Sequence, residues 1–151
     1  MAVPDMQQIQ TQILLVFLKI FKLFFKNLEI PPIPSACAII KKQGKILMVK
    51  SPKGIINFPG GVMMPLETPS MTAIRETEEE TGLKIKIIKP LGVYPWKYSF
   101  AGLVFSFEAK ILKGKLRSSK EGKPVWLKPE IALKKLPTEL KKNILKDYLN
   151  Q

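Results

Sequence analysis

Histidine is absent from this chain of 151 residues, cysteine occurs once, at Cys37, and arginine twice, at Arg75 and Arg117. Zinc prefers imidazole nitrogen and thiolate sulfur, so zinc chemistry has almost no ligands to draw on here. A single cysteine excludes any intramolecular disulfide and fits a reducing compartment. Cys37 itself lies inside an apolar, strand-like run, where a thiol acts as a small core side chain rather than a nucleophile. With arginine scarce, the net charge of +13 is carried by lysine. Lysine is a diffuse point charge without the planar fork that grips phosphate in two places. The excess attracts anionic nucleotides, RNA or acidic lipid surfaces over a Debye length of ~8–10 Å, and does not choose among them. Uninterrupted apolar runs of the ~20 residues needed to span a bilayer are also missing. The longest, Ile13 to Phe25, is broken by Lys19 and Lys22. There is neither an internal repeat nor a low-complexity segment, and 46% hydrophobic residues fit one globular domain.

Against that basic background, four of the five residues from Glu76 to Glu80 are acidic. Like charges one turn apart on a helix repel by roughly 0.2–0.5 kcal/mol per exposed pair, so concentrating them calls for a cation. Thr68 is suited to cap a helix with Pro69 at its first position, and Gly82 to end it in the left-handed conformation, which predicts a helix over 69–81. Ala73, Ile74 and Thr77 form its apolar stripe. Residues three and four apart share a face, so Glu76, Glu79 and Glu80 converge while Glu78 points elsewhere and is solvated. An all-carboxylate site favours Mg²⁺ or Mn²⁺, which keeps waters and completes its shell with substrate phosphate. The chemistry that fits is hydrolysis at phosphorus in a diphosphate. An isolated run of glutamates is usually a solvated face; Gly61, Glu67, Arg75 and Gly82 at fixed spacing argue against that reading.

The stretch from Gly61 to Leu83, led in by Phe58-Pro59-Gly60, resembles the box of the Nudix (MutT-like) hydrolase family, G-x5-E-x7-R-E-U-x-E-E-x-G-U with U apolar. Gly61, Glu67, Arg75, Glu76, Glu79, Glu80, Gly82 and Leu83 match in register, and Thr77 at an apolar position is the one departure. The resemblance implies that Glu76, Glu79 and Glu80 bind a metal ion, Mg²⁺ or Mn²⁺, with the Gly61 carbonyl as a further ligand. It implies that Arg75 and Glu67 pair to brace the motif. The general base varies within the family; Glu121, in the loop Ser119-Lys120-Glu121-Gly122, is the candidate here, against the plainer reading of an inert surface glutamate. Implied substrates are nucleoside diphosphate derivatives: nucleoside triphosphates, ADP-ribose, dinucleoside polyphosphates or capped RNA, with the first two ranked highest.

Around the box, strands are expected over 35–40 and 45–49 about a Gln43-Gly44 turn, then at 54–58, 83–94, 100–112 and 123–127, with a C-terminal helix over 139–149. Pro65, Pro90 and Pro95 read as turn residues. Mixed strands with a central and a terminal helix suggest an α/β class protein, an α/β/α sandwich with a mixed sheet, as the resemblance also implies. Tyr94, Trp96 and Tyr98 are candidates for stacking a nucleobase, although strand aromatics more often pack. Residues 1–30 read as an amphipathic helix, 31–34 as a stiff proline-rich linker and 35–151 as the hydrolase domain. On the helix Gln8, Gln12, Leu15, Lys19, Lys22 and Lys26 share a face opposite a wide apolar one. That pattern suits either peripheral membrane association with snorkelling lysines or a homodimer interface. No Lys or Arg precedes the apolar run, which argues against an export signal. The expected location is cytoplasmic, with or without membrane contact. A regulatory nucleotide-sensing domain, and a membrane- or RNA-associated protein led by its basic surface, are the competing readings; RNA has no specific motif behind it.

Overall fold

Lys42 and Lys45 pair across a two-residue loop in which Gln43 (φ 50°) and Gly44 (φ 74°) are both left-handed, the geometry whose twist suits a tight hairpin. The computed structural model, which describes residues 6–24, 31–97 and 101–151, builds outward from this hairpin of β1 (Ile33–Lys42) and β2 (Lys45–Lys50). Both strands are near-continuous apolar runs, and Ala36–Ile40 and Ile46–Val49 are buried throughout. Such runs mark central strands covered on both faces. Alternation sorts the side chains: Cys37, Ile39, Ile46 and Met48 join one core cluster, Ala36, Ala38, Ile40 and Leu47 the other.

The remaining strands are β3 (Ile56–Asn57), β4 (Gly60–Val62), β5 (Leu83–Lys97), β6 (Ala101–Gly114) and β7 (Lys123–Leu127). They give a mixed sheet ordered β3-β2-β1-β6-β5, with β4 paired to β1 and β7 to β2. The β1–β6 pair is parallel and the others antiparallel. Helix α2 (Pro69–Thr81) packs through Ala73 on the second cluster, and α3 (Pro129–Lys135) and α4 (Glu139–Leu149) cover the first through Ala132, Leu136, Ile144 and Leu145. The result is the expected α/β/α sandwich.

Helix α2 has the expected bounds. Thr68 Oγ1 accepts from Met71 N, and Gly82 (φ 76°) closes it with its N–H on Glu78 O at 2.8 Å. Its buried face is unusually polar: Thr72, Ala73, Glu76, Thr77, Glu80 and Thr81. The Thr hydroxyls are satisfied locally, Thr77 Oγ1 donating to Ala73 O at 2.7 Å and Thr81 Oγ1 to Thr77 O at 2.6 Å. Thr77 thus fills an apolar slot with its methyl and returns its hydroxyl to the helix.

Three expectations need correction. Pro90 and Pro95 lie within β5, not in turns; β5 is the sheet edge, where a missing N–H is tolerated, and the register shifts beside Pro90. Ile33 and Pro34, read above as linker, are the first residues of β1, opposite Gly102 and Leu103. Helix α3 was not anticipated: it has seven residues and no side-chain cap, too short for a helical period to stand out.

The chain divides into two compact units, Met1–Pro31 and Pro32–Gln151. The first contains α1 (Met6–Phe24), which carries no acidic residue; Lys26, Tyr98 and Phe100 lie outside the described residues. Among the described residues no helix is long and apolar enough to cross a membrane.

Candidate metal centre

Two loops and one helix converge on the carboxylates. The chain leaves β3 through Phe58-Pro59, and Gly60 pairs with Cys37 of β1 so closely that a side chain at Gly60 would strike Ala36 O and Cys37. That approach aims the Gly60 N–H at Glu80 Oε2, 2.9 Å away. Next to it, a Cβ on Gly61 would lie 2.5 Å from Glu76 Oε1, so the missing side chain is the space that the Glu76 carboxylate occupies. Glu76 and Glu80 are 4% and 6% exposed, unusual burial for carboxylates.

The third carboxylate comes from far along the chain. Ser119 N donates to Gly122 O, Glu121 N donates to Ser119 Oγ at 3.2 Å, and Gly122 lies against Lys50 O of β2. This tight loop presents the Glu121 side chain to the helix. One oxygen from each of Glu76, Glu80 and Glu121 lies within 4.8 Å of the others.

Glu79 is placed differently. It is half-exposed and takes NH1 of Arg75 at 3.1 Å. The same guanidinium holds Glu76 Oε1 at 2.8 Å, Glu67 Oε1 at 2.6 Å and Glu67 Oε2 at 3.0 Å, and also donates to Val62 O. Glu67 accepts further bonds from Met64 N and Thr72 Oγ1. The loop from Val62 to Glu67 is therefore fastened to the helix at several points, and Leu66 within it turns the chain in a left-handed conformation (φ 70°). The structure brings together Glu76, Glu80 and Glu121, and separately Arg75, Glu67 and Glu79.

Electrostatics separates the two groups in the same way. Bonds from Arg75 hold the Glu67 carboxyl down at about 2, and Glu67 in turn raises the Arg75 pKa. Burial pushes Glu76 up, against the pull of Arg75. Burial first, and then the Glu121 carboxylate, push Glu80 far above the usual range, with the Gly60 N–H opposing. Glu76 and Glu80, buried carboxylates that resist ionising, together with the exposed Glu121 make an all-oxygen donor set that a hard divalent cation fits, because the cation supplies the missing positive charge.

Two of the aromatic candidates, Tyr94 and Trp96, are residues of β5. Tyr94 packs on the core cluster beneath α4 and donates its hydroxyl to Asp147 Oδ2 at 2.7 Å. The Trp96 indole lies over Gly102, its partner in β6, where a side chain would collide with it. Tyr98 is outside the described residues. Both described rings have packing partners of their own. Sequence reasoning missed the Gly60 N–H, whose target is twenty residues away, and Lys141 of α4, whose amine donates to Asn57 Oδ1. No local signal in the sequence marks either contact.

The comparisons with known proteins agree with this geometry. Residues 31–148 match the model of the NUDIX domain. A MutT-like protein of Streptomyces ambofaciens is 34% identical over 106 residues, covering 66% of this chain and 68% of that one. An ADP-ribose pyrophosphatase of Methanocaldococcus jannaschii is 31% identical over 132 residues, covering 82% and 76%. The crystal structure of a MutT protein from Bacillus halodurans superposes with a TM-score of 0.71 at 27% identity, over 79% of this chain and 83% of that one.

Proposed function

The chain belongs to the NUDIX family and is a hydrolase, and we propose that it cleaves a diphosphate linkage in a nucleoside diphosphate derivative, with Mg²⁺ or Mn²⁺ as its metal and a nucleoside triphosphate or ADP-ribose as its substrate. The observation that carries this reading is the convergence of the buried Glu76 and Glu80 with the exposed Glu121, with oxygens within 4.8 Å of one another. A relative that covers most of the chain is an ADP-ribose pyrophosphatase, which supports the substrate class.

Glu76 and Glu80 would hold the ion from the helix, with Glu79 and the Gly61 carbonyl as further candidates. Once bound, such an ion neutralises phosphate charge and favours deprotonation of an attacking water. Arg75 and Glu67 do not touch substrate: they fix the loop and keep Glu76 aimed inward. Glu121, the exposed member of the trio, is the base: the water oxygen attacks phosphorus, its proton passes to Glu121, and the bridging P–O bond breaks with its electron pair leaving on the departing phosphate. Tyr94 and Trp96 remain candidates for a base-stacking surface.

Product release from nucleoside triphosphates, ADP-ribose, dinucleoside polyphosphates and capped RNA, with and without metal, tests the reading. Metal-dependent turnover of one class that Glu80→Gln abolishes is the expected result. Tight metal binding with no turnover across the panel would favour a sensing domain instead.

The first unit supports a compatible second reading, peripheral association with an anionic membrane surface. Ile13, Phe17, Ile20 and Leu23 of α1 are at least half exposed, and the helix offers Lys19 and no acid, the composition of an interfacial helix. Co-sedimentation of the full chain with anionic and neutral vesicles checks it: anionic-only partitioning supports it, whereas a concentration-dependent dimer without partitioning replaces it by a homodimer. A cytoplasmic location follows from the same reading.

A further inference from the structure

Lys141 is in the wrong place for a solubilising lysine. Thr138 caps α4 through the Lys141 N–H, and Ile144 and Leu145, three and four residues on, are buried in the core. That register turns Lys141 inward. Its amine donates to Asn57 Oδ1 at 2.5 Å, across 84 residues of sequence. Asn57 ends β3, three residues before the Gly60 N–H that holds Glu80. Burial pulls the Lys141 ammonium down, with Cys37 and Glu80 opposing.

The bond to Asn57 locates the amine. Helices α2 and α4 lie on opposite faces of the sheet, packed on the second and the first core cluster. β1 pairs with β4 through Ser35–Cys37 and with β2 only at Lys41 and Lys42, so the sheet divides between them. Through Asn57 the amine is tied, from the α4 face, to the short segment that runs into Gly60 and its contact with Glu80.

A half-buried ammonium is costly unless something compensates its charge. Among the described residues Lys141 makes no ion pair, and its hydrogen-bond partner is a neutral amide. An ammonium has three donors, of which Asn57 takes one. Resting on the hydrolase reading, we propose that Lys141, held by Asn57, binds the phosphoryl oxygens of the substrate's diphosphate on the α4 side of the carboxylate trio. A compact point charge suits a phosphate oxygen, which needs no planar fork. With metal on the carboxylates and lysine opposite them, a diphosphate between the two meets positive charge from both sides. Lys141 is then a binding residue, and Asn57 positions it.

Calorimetry on the full chain with inorganic pyrophosphate in saturating Mg²⁺ tests this, using wild type, Lys141→Met, Lys141→Gln and Lys141→Arg. Lys141→Gln keeps a donor for Asn57 without the charge and guards against a variant that fails to fold. The expected result is pyrophosphate binding weakened at least tenfold in the Met and Gln variants and largely restored in Arg, with Mg²⁺ affinity and melting temperature little changed. Unchanged pyrophosphate affinity in a folded Gln variant would overturn the proposal, as would a lowered melting temperature as the sole effect. Failure of the hydrolase reading is distinguishable: wild type would then bind pyrophosphate through Lys141 yet turn over no nucleotide. Nucleotide turnover with the same kcat/KM in wild type and Lys141→Gln would sink this inference alone.

Discussion

Arg75 meets Glu67 fork to fork, Nε on Oε1 at 2.6 Å and NH2 on Oε2 at 3.0 Å, and its remaining nitrogen spans Glu76 and Glu79. One side chain thus ties the loop from Val62 to Glu67 to α2 and keeps the Glu76 carboxylate in line. Lysine has the charge but not the fork. We expect Arg75→Lys to lose most activity and Arg75→Ala to lose it as fully while also destabilising the fold. Stranding Glu67 and its partners costs about 2–3 kcal/mol, or roughly 5–10 °C in melting temperature for a domain of this size. Wild-type kcat/KM in Arg75→Lys would show that charge alone suffices.

The same pair sets acid sensitivity. The Glu67 pKa is lowered to about 2 in the folded chain from an ordinary 4.5. A depressed carboxylate contributes stability that is present above its unfolded pKa and lost as pH falls through the folded one. Stability should therefore drop between about pH 4.5 and 2, and Glu67→Gln should flatten that part of the melting-temperature profile. A profile that is identical in the variant would remove Glu67 from the account.

Glu80 runs the other way. Burial and Glu121 raise its pKa, so the metal-free fold is destabilised as Glu80 ionises above its unfolded pKa. We expect Glu80→Gln to melt higher than wild type in chelator at pH 8, to gain less from added Mg²⁺, and to lose several orders of magnitude in rate. Metal binding to wild type should release protons near neutral pH, measurable as a buffer-dependent calorimetric enthalpy. A Glu80→Gln chain that melts lower in chelator would contradict the burial argument.

Which parts were legible in the sequence follows from how local their causes are. Thr68, Pro69 and Gly82 each act within one turn, and the bounds of α2 could be read from them. The Gln43-Gly44 hairpin and the apolar runs of β1 and β2 are equally local. The carboxylate trio is not: helical spacing put Glu76, Glu79 and Glu80 on one face, but α2 turns Glu76 and Glu80 into the core and leaves Glu79 to Arg75. Spacing fixes an angle around a helix axis and not the direction in which the core lies. Glu121 was legible only as a loop glutamate, since its approach depends on β7 pairing with β2 from Lys50↔Lys123. Lys141 was illegible, being one lysine among many until α4 docks.

The separation of Glu79 from Glu121 invites a direct comparison. As the structure stands, Glu121→Gln removes an oxygen from the trio and the proposed base, whereas Glu79→Gln removes an exposed partner of Arg75. We expect Glu121→Gln to cut kcat by at least 10²-fold, the scale of general-base loss. Glu79→Gln should lower kcat with a matching loss of Mg²⁺ affinity if Glu79 swings from Arg75 to the ion. Wild-type Mg²⁺ affinity in Glu79→Gln would instead confine Glu79 to the Arg75 network.

Gly61 offers the sharpest steric test, because its backbone is not in the left-handed region and only space forbids a side chain. An alanine Cβ would sit 2.5 Å from Glu76 Oε1 and 2.6 Å from its Cδ, inside any real contact distance. Glu76 is buried and held by Arg75 on its other side, so it cannot yield without breaking that bond. Gly54→Ala is the control: nothing lies within 4 Å of the added Cβ, but φ is +81°, so its cost is backbone strain of about 1 kcal/mol. Both variants should fold, with Gly54→Ala slightly less stable and fully active. Gly61→Ala should lose Mg²⁺ affinity by more than tenfold and activity by more than that, because the displaced carboxylate leaves the trio. Equal Mg²⁺ affinity in the two variants would show that Glu76 has room to move, and that its position against Gly61 does not set the metal site.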